Sequence, residues 1–443
     1  MDIIKKPDDL ILSILGDVDI NLNKSYKLSN YICTCDYKDK KLVFSTLTKA
    51  LYALVSEEEY DFTHPERLDS ELKRQLAKER IFVPIDLDEY SLVNQTRKIF
   101  NLLNCNKTDF IDNYTILTTT DCNARCFYCY ELGLKRTTMT SETALSVAEY
   151  IKNNCKNRKV YLRWFGGEPL CNYEVIDIIT SELRKCKIPF VSKMTTNGYL
   201  FDERMIDKAV NQWNLDKVQI TLDGTEKLYN RFKAFIYKND ESPFIKVTNN
   251  IDKILKANIT VNIRLNMSQE NADDLIKLVS WIPKRYSHAD NLHIYPAIIF
   301  DKNDIKSLSD RILLLDKYSQ LSEFICEKKL SRYRLDGRPF KSNSCMADAA
   351  NAVVITPDGD LQRCEHITEN ETFGNIWKGL VNKEIYNSWL ENQPEISECK
   401  SCAFYTSCRP LKKCKTFIKC TEDERIGKKI HCVDAMRWEY ENR

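Results

Sequence analysis

The sequence predicts an α/β protein built on a partial barrel of six parallel strands with intervening helices, a TIM-like (β/α)6 core. Three observations predict it. Six strand-like apolar runs alternate with helical stretches across residues 112–300. Each run ends, at one edge, in polar or glycine-rich residues, and that is the edge where parallel α/β sheets place their sites. The 18 cysteines are clustered, three in a loop after the first run and eight between Cys345 and Cys432.

The first stretch, 1–110, reads as a small α/β unit. "SNYICTCDYKDKKLVFSTL" is a hairpin around a charged turn. "LTKALYALVSEEEY" and "RLDSELKRQLAKERI" carry helical patterns, "RIFVPI" is a short strand, and "DEYSLVNQTRKIFNLL" is a helical linker. In the core, 111–300, the strands are "YTILTTT", "KVYLRWFGG", "FVSKMTTNG", "KVQITLDG", "TVNIRLNM" and "NLHIYPAII". Helices lie between them, such as "SETALSVAEYIKNNC" and "YEVIDIITSELRKC". A charged helical bridge spans 301–340, and a cysteine-rich domain spans 341–443. No internal repeat or low-complexity tract interrupts the 443 residues, which suffice for several domains.

Lys plus Arg number 66 against 64 for Asp plus Glu, a balance that gives no support to a nucleic-acid partner. No apolar run has the length of a membrane span. The first residues lack the apolar core and cleavage site of a signal peptide. A cytoplasmic location is expected. In a reducing compartment, cysteines clustered in this way point to metal or catalytic roles rather than disulfides.

"TTTDCNARCFYCYELG", residues 118–133, holds Cys122, Cys126 and Cys129 at C-x3-C-x2-C spacing. Four-iron clusters are normally held by four thiolates, so three leave one iron open to a ligand. The spacing, with Tyr128 before the last cysteine, is similar to the signature of the radical S-adenosylmethionine (SAM) superfamily. That resemblance implies a cluster whose open iron chelates the methionine group of SAM, and reductive cleavage to a 5′-deoxyadenosyl radical. Further motifs match in order. "WFGGEP" resembles the segment whose backbone meets the SAM amino group, here Gly166, Gly167 and Glu168. "TTNG" matches the ribose contact, with Thr196 and Asn197. "ITLDG" and Arg231 resemble the carboxylate-binding segment, with Thr221 and Arg231 as donors. Arg231 alone reads equally as a solvated charge. Asn266, ending the fifth strand, is a further expected contact.

The tail resembles the SPASM domain of radical SAM peptide maturases. Cys345, Gly359 and Cys364 fit its first half, with "TPDG" turning a hairpin that brings the two cysteines together. Cys399, Cys402 and Cys408 follow at C-x2-C-x5-C spacing, and "FGNIW" resembles the link segment. The resemblance implies two auxiliary four-iron clusters, hence three in all. Cys345, Cys364 and Cys414 would hold the first. Cys399, Cys402, Cys408 and Cys432 would hold the second. The pattern departs after Cys408, where the next cysteine is Cys414 rather than one four places on. Cys420 could replace Cys414 or Cys432. The first auxiliary cluster lacks an obvious fourth ligand, for which Cys326 is a candidate. A zinc ribbon is the alternative for the tail. Cys33, Cys35, Cys105, Cys155, Cys171 and Cys186 match no motif and read as structural.

The resemblance implies a maturase of a ribosomally made precursor peptide, forming a thioether or carbon–carbon cross-link. It also implies a flavodoxin- or ferredoxin-type electron donor. The N-terminal pattern is compatible with a winged-helix-like element that pairs an edge strand with a leader peptide, or with a cap that binds nothing. Epimerisation and formylglycine formation on a sulfatase are alternatives, with Glu365 or His366 as the base. An iron–sulfur electron carrier is the alternative from another class, but it would not need the SAM motifs.

Overall fold

The computed structural model describes the chain apart from residues 17–19, 22, 105–108, 134, 238–240, 288, 300–307, 331–345, 367–370, 390–396, 408–421 and 443. It contains two compact units. One draws on Met1–Asn106 and Glu391–Arg443, the other on Lys107–Arg332 and Cys345–Leu390.

The first unit opens with β1 (Asp2–Lys5), α1 (Asp9–Leu15), β2 (Tyr26–Leu28), β3 (Ile32–Tyr37), β4 (Lys40–Ser45) and β5 (Leu51–Leu54). Then come α2 (Ser56–Thr63), α3 (Ser70–Lys78), β6 (Phe82–Pro84) and α4 (Glu89–Asn104). The expected hairpin is β3–β4, closed where Tyr37 pairs with Lys40. One expectation is corrected. The "LTKALYALVSEEEY" stretch is helical only in α2; its first half is the strand β5. β5 lies between β4 and β1 in the sheet order β1-β5-β4-β3, and all four of its residues are buried. A strand covered on both faces reads as a continuous apolar run, which periodicity cannot tell from a buried helix.

The second unit carries the six expected strands: β7 (Asn113–Thr119), β8 (Val160–Gly166), β9 (Phe190–Thr196), β10 (Leu215–Thr221), β11 (Thr260–Met267) and β12 (Leu292–Ile298). They pair in sequence order, every pair parallel. Parallel neighbours need crossovers, and helices supply them. These are α5 (Ser141–Asn154), α6 (Tyr173–Lys185), α7 (Glu203–Asn211), α8 (Glu226–Lys233), α9 (Pro243–Lys256) and α10 (Ala272–Arg285). Strand faces and helix stripes meet in one core, with Trp164, Trp213, Ile220 and Ile263 fully buried. α11 (Leu308–Glu327) follows, within the expected helical bridge.

The edge at β7 is not bare. β13 (Ala352–Ile355) pairs with it in parallel, and β14 (Asp360–Gln362), β15 (Gly374–Asn375) and β16 (Gly379–Leu380) continue antiparallel. The "TPDG" turn closes β13–β14. Thr356 N–H donates to Asp360 O at 3.0 Å, and Gly359 takes the left-handed φ of +83° that suits glycine. Then come α12 (Lys383–Ser388) and, in the first unit, α13 (Glu422–Glu441). No helix among the described residues is long and apolar enough to cross a membrane.

Ile263 lies on β11 with strands on both sides and no exposure. Ile263→Ala should therefore cost about 2–5 kcal/mol, read as a lower urea midpoint by tryptophan fluorescence. All tryptophans but Trp438 lie in this unit.

Candidate active site

The three-cysteine loop leaves the end of β7. Asp121 anchors it. Its backbone carbonyl accepts from Glu168 N at 2.9 Å, and its carboxylate accepts from Cys122 N at 2.8 Å. Cys129 N donates to Cys126 O at 3.1 Å, so the loop folds back on itself between the two thiols. All three cysteines are half-buried free thiols. Burial pushes Cys122 up to about 12 and also raises Cys129. Binding iron there must displace a proton from each thiol that ligates it.

The next strand end presses directly on this loop. A Cβ added at Gly167 would lie 2.3 Å from Asp121 O, and one at Gly166 would lie 2.1 Å from Thr119 O. Glycine here permits backbone contact that no side chain allows. Glu168 is fully buried and its carboxylate faces inward, toward β9. It accepts from Asn197 N at 2.7 Å, Thr196 Oγ1 at 2.8 Å and Leu170 N at 3.1 Å. Burial pushes this carboxyl up to about 7, against the pull of those three donors. Asn197 Nδ2 in turn donates to Asn123 Oδ1 at 2.6 Å and approaches Cys122 Sγ at 3.7 Å. Glu168 and Asn197 thus tie three successive segments, after β7, β8 and β9, to one another.

The far side of the loop is held by a buried charge pair. Lys233, the last residue of α8, is 3 % exposed, and Asp223 is 0 % exposed. Lys233 Nζ donates to Asp223 Oδ2 at 2.8 Å, Tyr128 Oη at 2.7 Å and Thr221 Oγ1 at 2.6 Å. Tyr128 Oη donates to Asp223, and Asn266 Nδ2 reaches Tyr128 Oη at 3.2 Å. Burial alone would lower the Lys233 ammonium, but the Asp223 carboxylate together with Tyr128, Cys126 and Tyr229 outweighs it and holds the lysine well above its usual range. The backbone beyond α8 also grips the loop. Arg125 N donates to Lys233 O at 2.8 Å, and Ile236 N donates to Asn123 O at 2.9 Å. Ala234 between them takes a left-handed φ of +44°, a costly conformation for a residue with a Cβ.

Most of the expected contacts therefore converge: Tyr128, Gly166, Gly167, Glu168, Thr196, Asn197, Thr221 and Asn266 surround Cys122, Cys126 and Cys129. Arg231 does not join them. It is more than half exposed and pairs with Glu270. Residues two apart on a helix do not share a face, so turning Lys233 inward turns Arg231 outward. Lys233 and Asp223 are what the motif reading missed. Asp223 stood inside a quoted motif, whereas Lys233 had no signal beyond its place at the end of an amphipathic helix. Cys171 was also passed over, and its sulfur accepts the Asn123 N–H beside Cys122.

The β13–β14 hairpin brings a second group near. Cys364 accepts from His366 N at 3.5 Å. Glu365 pairs with Arg163 of β8 at 3.4 Å, and the His366 ring lies 4.4 Å from Tyr130, which follows Cys129. Burial pushes Glu131, next in the loop, up to about 7. Cys399 and Cys402 pack in the first unit against an apolar cluster that includes Tyr31 and Tyr405. Cys345, Cys408, Cys414 and Cys420 lie outside the described residues. Among the described residues no three His, Cys, Asp or Glu side chains stand close enough to share one metal ion.

Residues 116–282 match the radical SAM superfamily. The second unit carries a radical SAM domain. Its sequence relatives include the GTP 3′,8-cyclase of Clostridium perfringens (strain 13 / Type A), 26 % identical over 284 residues, covering 58 % of this chain and 81 % of that one. A probable GTP 3′,8-cyclase of Methanococcus aeolicus is 29 % identical over 290 residues, covering 62 % and 92 %. Its fold is similar to that of anSMEcpe with bound AdoMet, at TM-score 0.58 and 18 % identity, covering 75 % of this chain and 98 % of that one. It is also similar to Streptococcus suis SuiB, at TM-score 0.53 and 16 % identity, covering 90 % and 98 %.

The superfamily implies SAM and a four-iron cluster, and the residues present suit both. Three thiols leave one loop together. Beside them two buried polar atoms, Asn123 Nδ2 and Asp223 Oδ1, are without a partner inside the protein. A donor and an acceptor left unsatisfied at a strand edge are costly unless a polar ligand meets them.

Removing the ammonium of the buried pair should be severe. Lys233→Met should cost about 3–5 kcal/mol by stranding the Asp223 charge. The Lys233→Met/Asp223→Asn double variant should recover much of that in urea unfolding.

Proposed function

We propose that this enzyme modifies a ribosomally made peptide, using Cys122, Cys126 and Cys129 to hold the cluster that binds SAM. When bound, the cluster and SAM would supply a 5′-deoxyadenosyl radical able to abstract hydrogen. The chain's own residues would orient SAM. The Gly166–Gly167 backbone lies close enough to the loop to meet its amino group. Thr196 and Asn197 stand at the ribose position. Thr221 offers a hydroxyl to its carboxylate, where Arg231 was expected, while Lys233, whose three N–H bonds go to Asp223, Tyr128 and Thr221, would hold that hydroxyl in place.

The observation that carries the peptide reading is the extent of the fold likeness. The sequence relatives named GTP 3′,8-cyclase match 58–62 % of this chain. The likeness to SuiB covers 90 % of it, well beyond the shared core. SuiB has been solved bound to the precursor peptide SuiA, and anSMEcpe with AdoMet and the Kp18Cys peptide. The tail adds support. Its cysteine spacing resembles the first half of the SPASM pattern, and Cys364 lies near the loop through His366 and Tyr130. Glu365 and His366 are the bases we favour, and Glu131, pushed up to about 7 by burial, is a third candidate.

A cysteine-to-carbon thioether is the preferred product. Forming it removes one hydrogen from carbon and one from sulfur, and an auxiliary cluster would take up the surplus electron. The N-terminal residues would bind the leader by strand addition. The electron donor would be of flavodoxin or ferredoxin type.

Anaerobically reconstituted protein should hold about twelve irons per chain, three clusters of four. About four irons with bound zinc would instead support the zinc ribbon. Cys126→Ala should abolish 5′-deoxyadenosine formation, whereas Cys171→Ala should retain it, because SAM rather than a fourth thiol completes the site. Co-expression with candidate precursor peptides, taken from any short reading frames beside the gene, followed by mass spectrometry, should show loss of two hydrogens from the true substrate. Turnover of GTP in place of the peptide would refute this reading.

A further inference from the structure

Helices cover one face of the six parallel strands, and the other face is not apolar. Leu162 and Trp164 of β8 lie in the core with the helices. Side chains alternate along a strand, so Arg163 between them belongs to the opposite, inner face. The same alternation puts Lys193 of β9 and Lys217 of β10 there, beside the core residues Met194 and Val218. Strand register then aligns the three. Arg163 pairs with Lys193, and Lys193 with Lys217, on three adjacent parallel strands. Tyr295 Oη donates to Gln219 Oε1 at 2.7 Å, reaching from β12 to β10 across β11, so polar side chains continue this face toward the far edge.

Like charges at neighbouring positions of adjacent strands repel and cost stability unless an anion lies among them. No Asp or Glu occupies this face on the described strands β7–β12. Asp216 adjoins Lys217 in the chain, where the pairing of β10 slips, and it is exposed. Lys193 is exposed and Lys217 half-buried, and neither carries an ion pair among the described residues. One anion does reach the row. Glu365, beyond β14, accepts from Arg163 Nη1 at 3.4 Å, while the guanidinium lies 4.6 Å from the Phe165 ring centre. Phe165 is itself packed with Leu117 and Val354. The row therefore has one anchored end that already holds a carboxylate, and two lysines that hold none. A single strand lysine is usually a solvated charge. A row of three cations that has captured one carboxylate is suited to more.

We propose that Lys193 and Lys217, together with Arg163, receive carboxylate side chains of the substrate, so that the peptide is acidic beside the residue modified. The inference rests on the peptide reading above and adds the charge class of that peptide. Adjacent strands are about 4.8 Å apart, so the three cations spread over roughly 10 Å. That spread suits acids dispersed along a chain better than one phosphate group. The row lies three or four residues before Gly166, Asn197 and Thr221 at the strand ends. In an extended peptide the acids would thus fall within a few residues of the reacting position.

The test uses the full chain, reconstituted anaerobically, and synthetic peptides of Gly–Asp and Gly–Asn repeats, with binding read by calorimetry. The Gly–Asp peptide should bind about tenfold more tightly than the Gly–Asn peptide, and added salt should weaken it. Lys193→Gln/Lys217→Gln should remove most of that preference. Its urea midpoint should stay or rise, because a repulsion is relieved. Lys152→Gln/Lys284→Gln, at exposed positions of α5 and α10, should keep the preference. Equal binding of the two peptides by the wild type, or none, would overturn the inference, as would a preference that survives in Lys193→Gln/Lys217→Gln. So would GTP that binds more tightly than the Gly–Asp peptide and is lost in the same variant, which would make the row a polyphosphate site. Turnover of GTP would remove the peptide reading and this inference with it. A precursor peptide modified equally well after its Asp and Glu are changed to Asn and Gln would remove the inference alone.

Discussion

The buried pair of Lys233 and Asp223 is the constraint on which the site depends. Two charges without access to water are expensive, and only close mutual contact and further hydrogen bonds compensate. Tyr128 and Thr221 supply those bonds, and Asn266 joins through Tyr128. Because Tyr128 lies between Cys126 and Cys129, satisfying the pair also positions the cysteine loop. The lysine backbone adds a second hold through Arg125. One oxygen of Asp223 is left without a partner inside the protein.

On the opposite side the same work is done without charge pairing. Gly166 and Gly167 allow the end of β8 to touch the loop, and the Glu168 carboxylate fastens β9 beside it. The motif residue Glu168 acts on the pocket by positioning Thr196 and Asn197, since its own oxygens already hold three donors. The loop is thus clamped between a neutral backbone contact and a buried ionic network. Such rigidity suits a site that must hold a reactive species in one geometry.

Much of this was legible in the sequence. Each of the six parallel strands was readable because its apolar run ended in a polar or glycine-rich signal. The hairpin at "TPDG" was readable from turn chemistry. What was hidden followed from burial. β5 looked helical because a strand covered on both faces has no alternation. Lys233 carried no signal and Arg231 looked like a ligand, because composition does not reveal which way a helix is rotated. The division of the tail between two compact units is equally silent in the sequence.

The central claim is that the loop of Cys122, Cys126 and Cys129 holds a cluster with one iron left for SAM. The EPR spectrum of the reduced, reconstituted enzyme, recorded with and without SAM, tests it most directly. The account predicts that SAM shifts the signal of that cluster, and that the shift disappears when Asp223 and Lys233 are both replaced by neutral residues while the cluster itself remains. A spectrum that SAM leaves unchanged in the wild-type enzyme would contradict it.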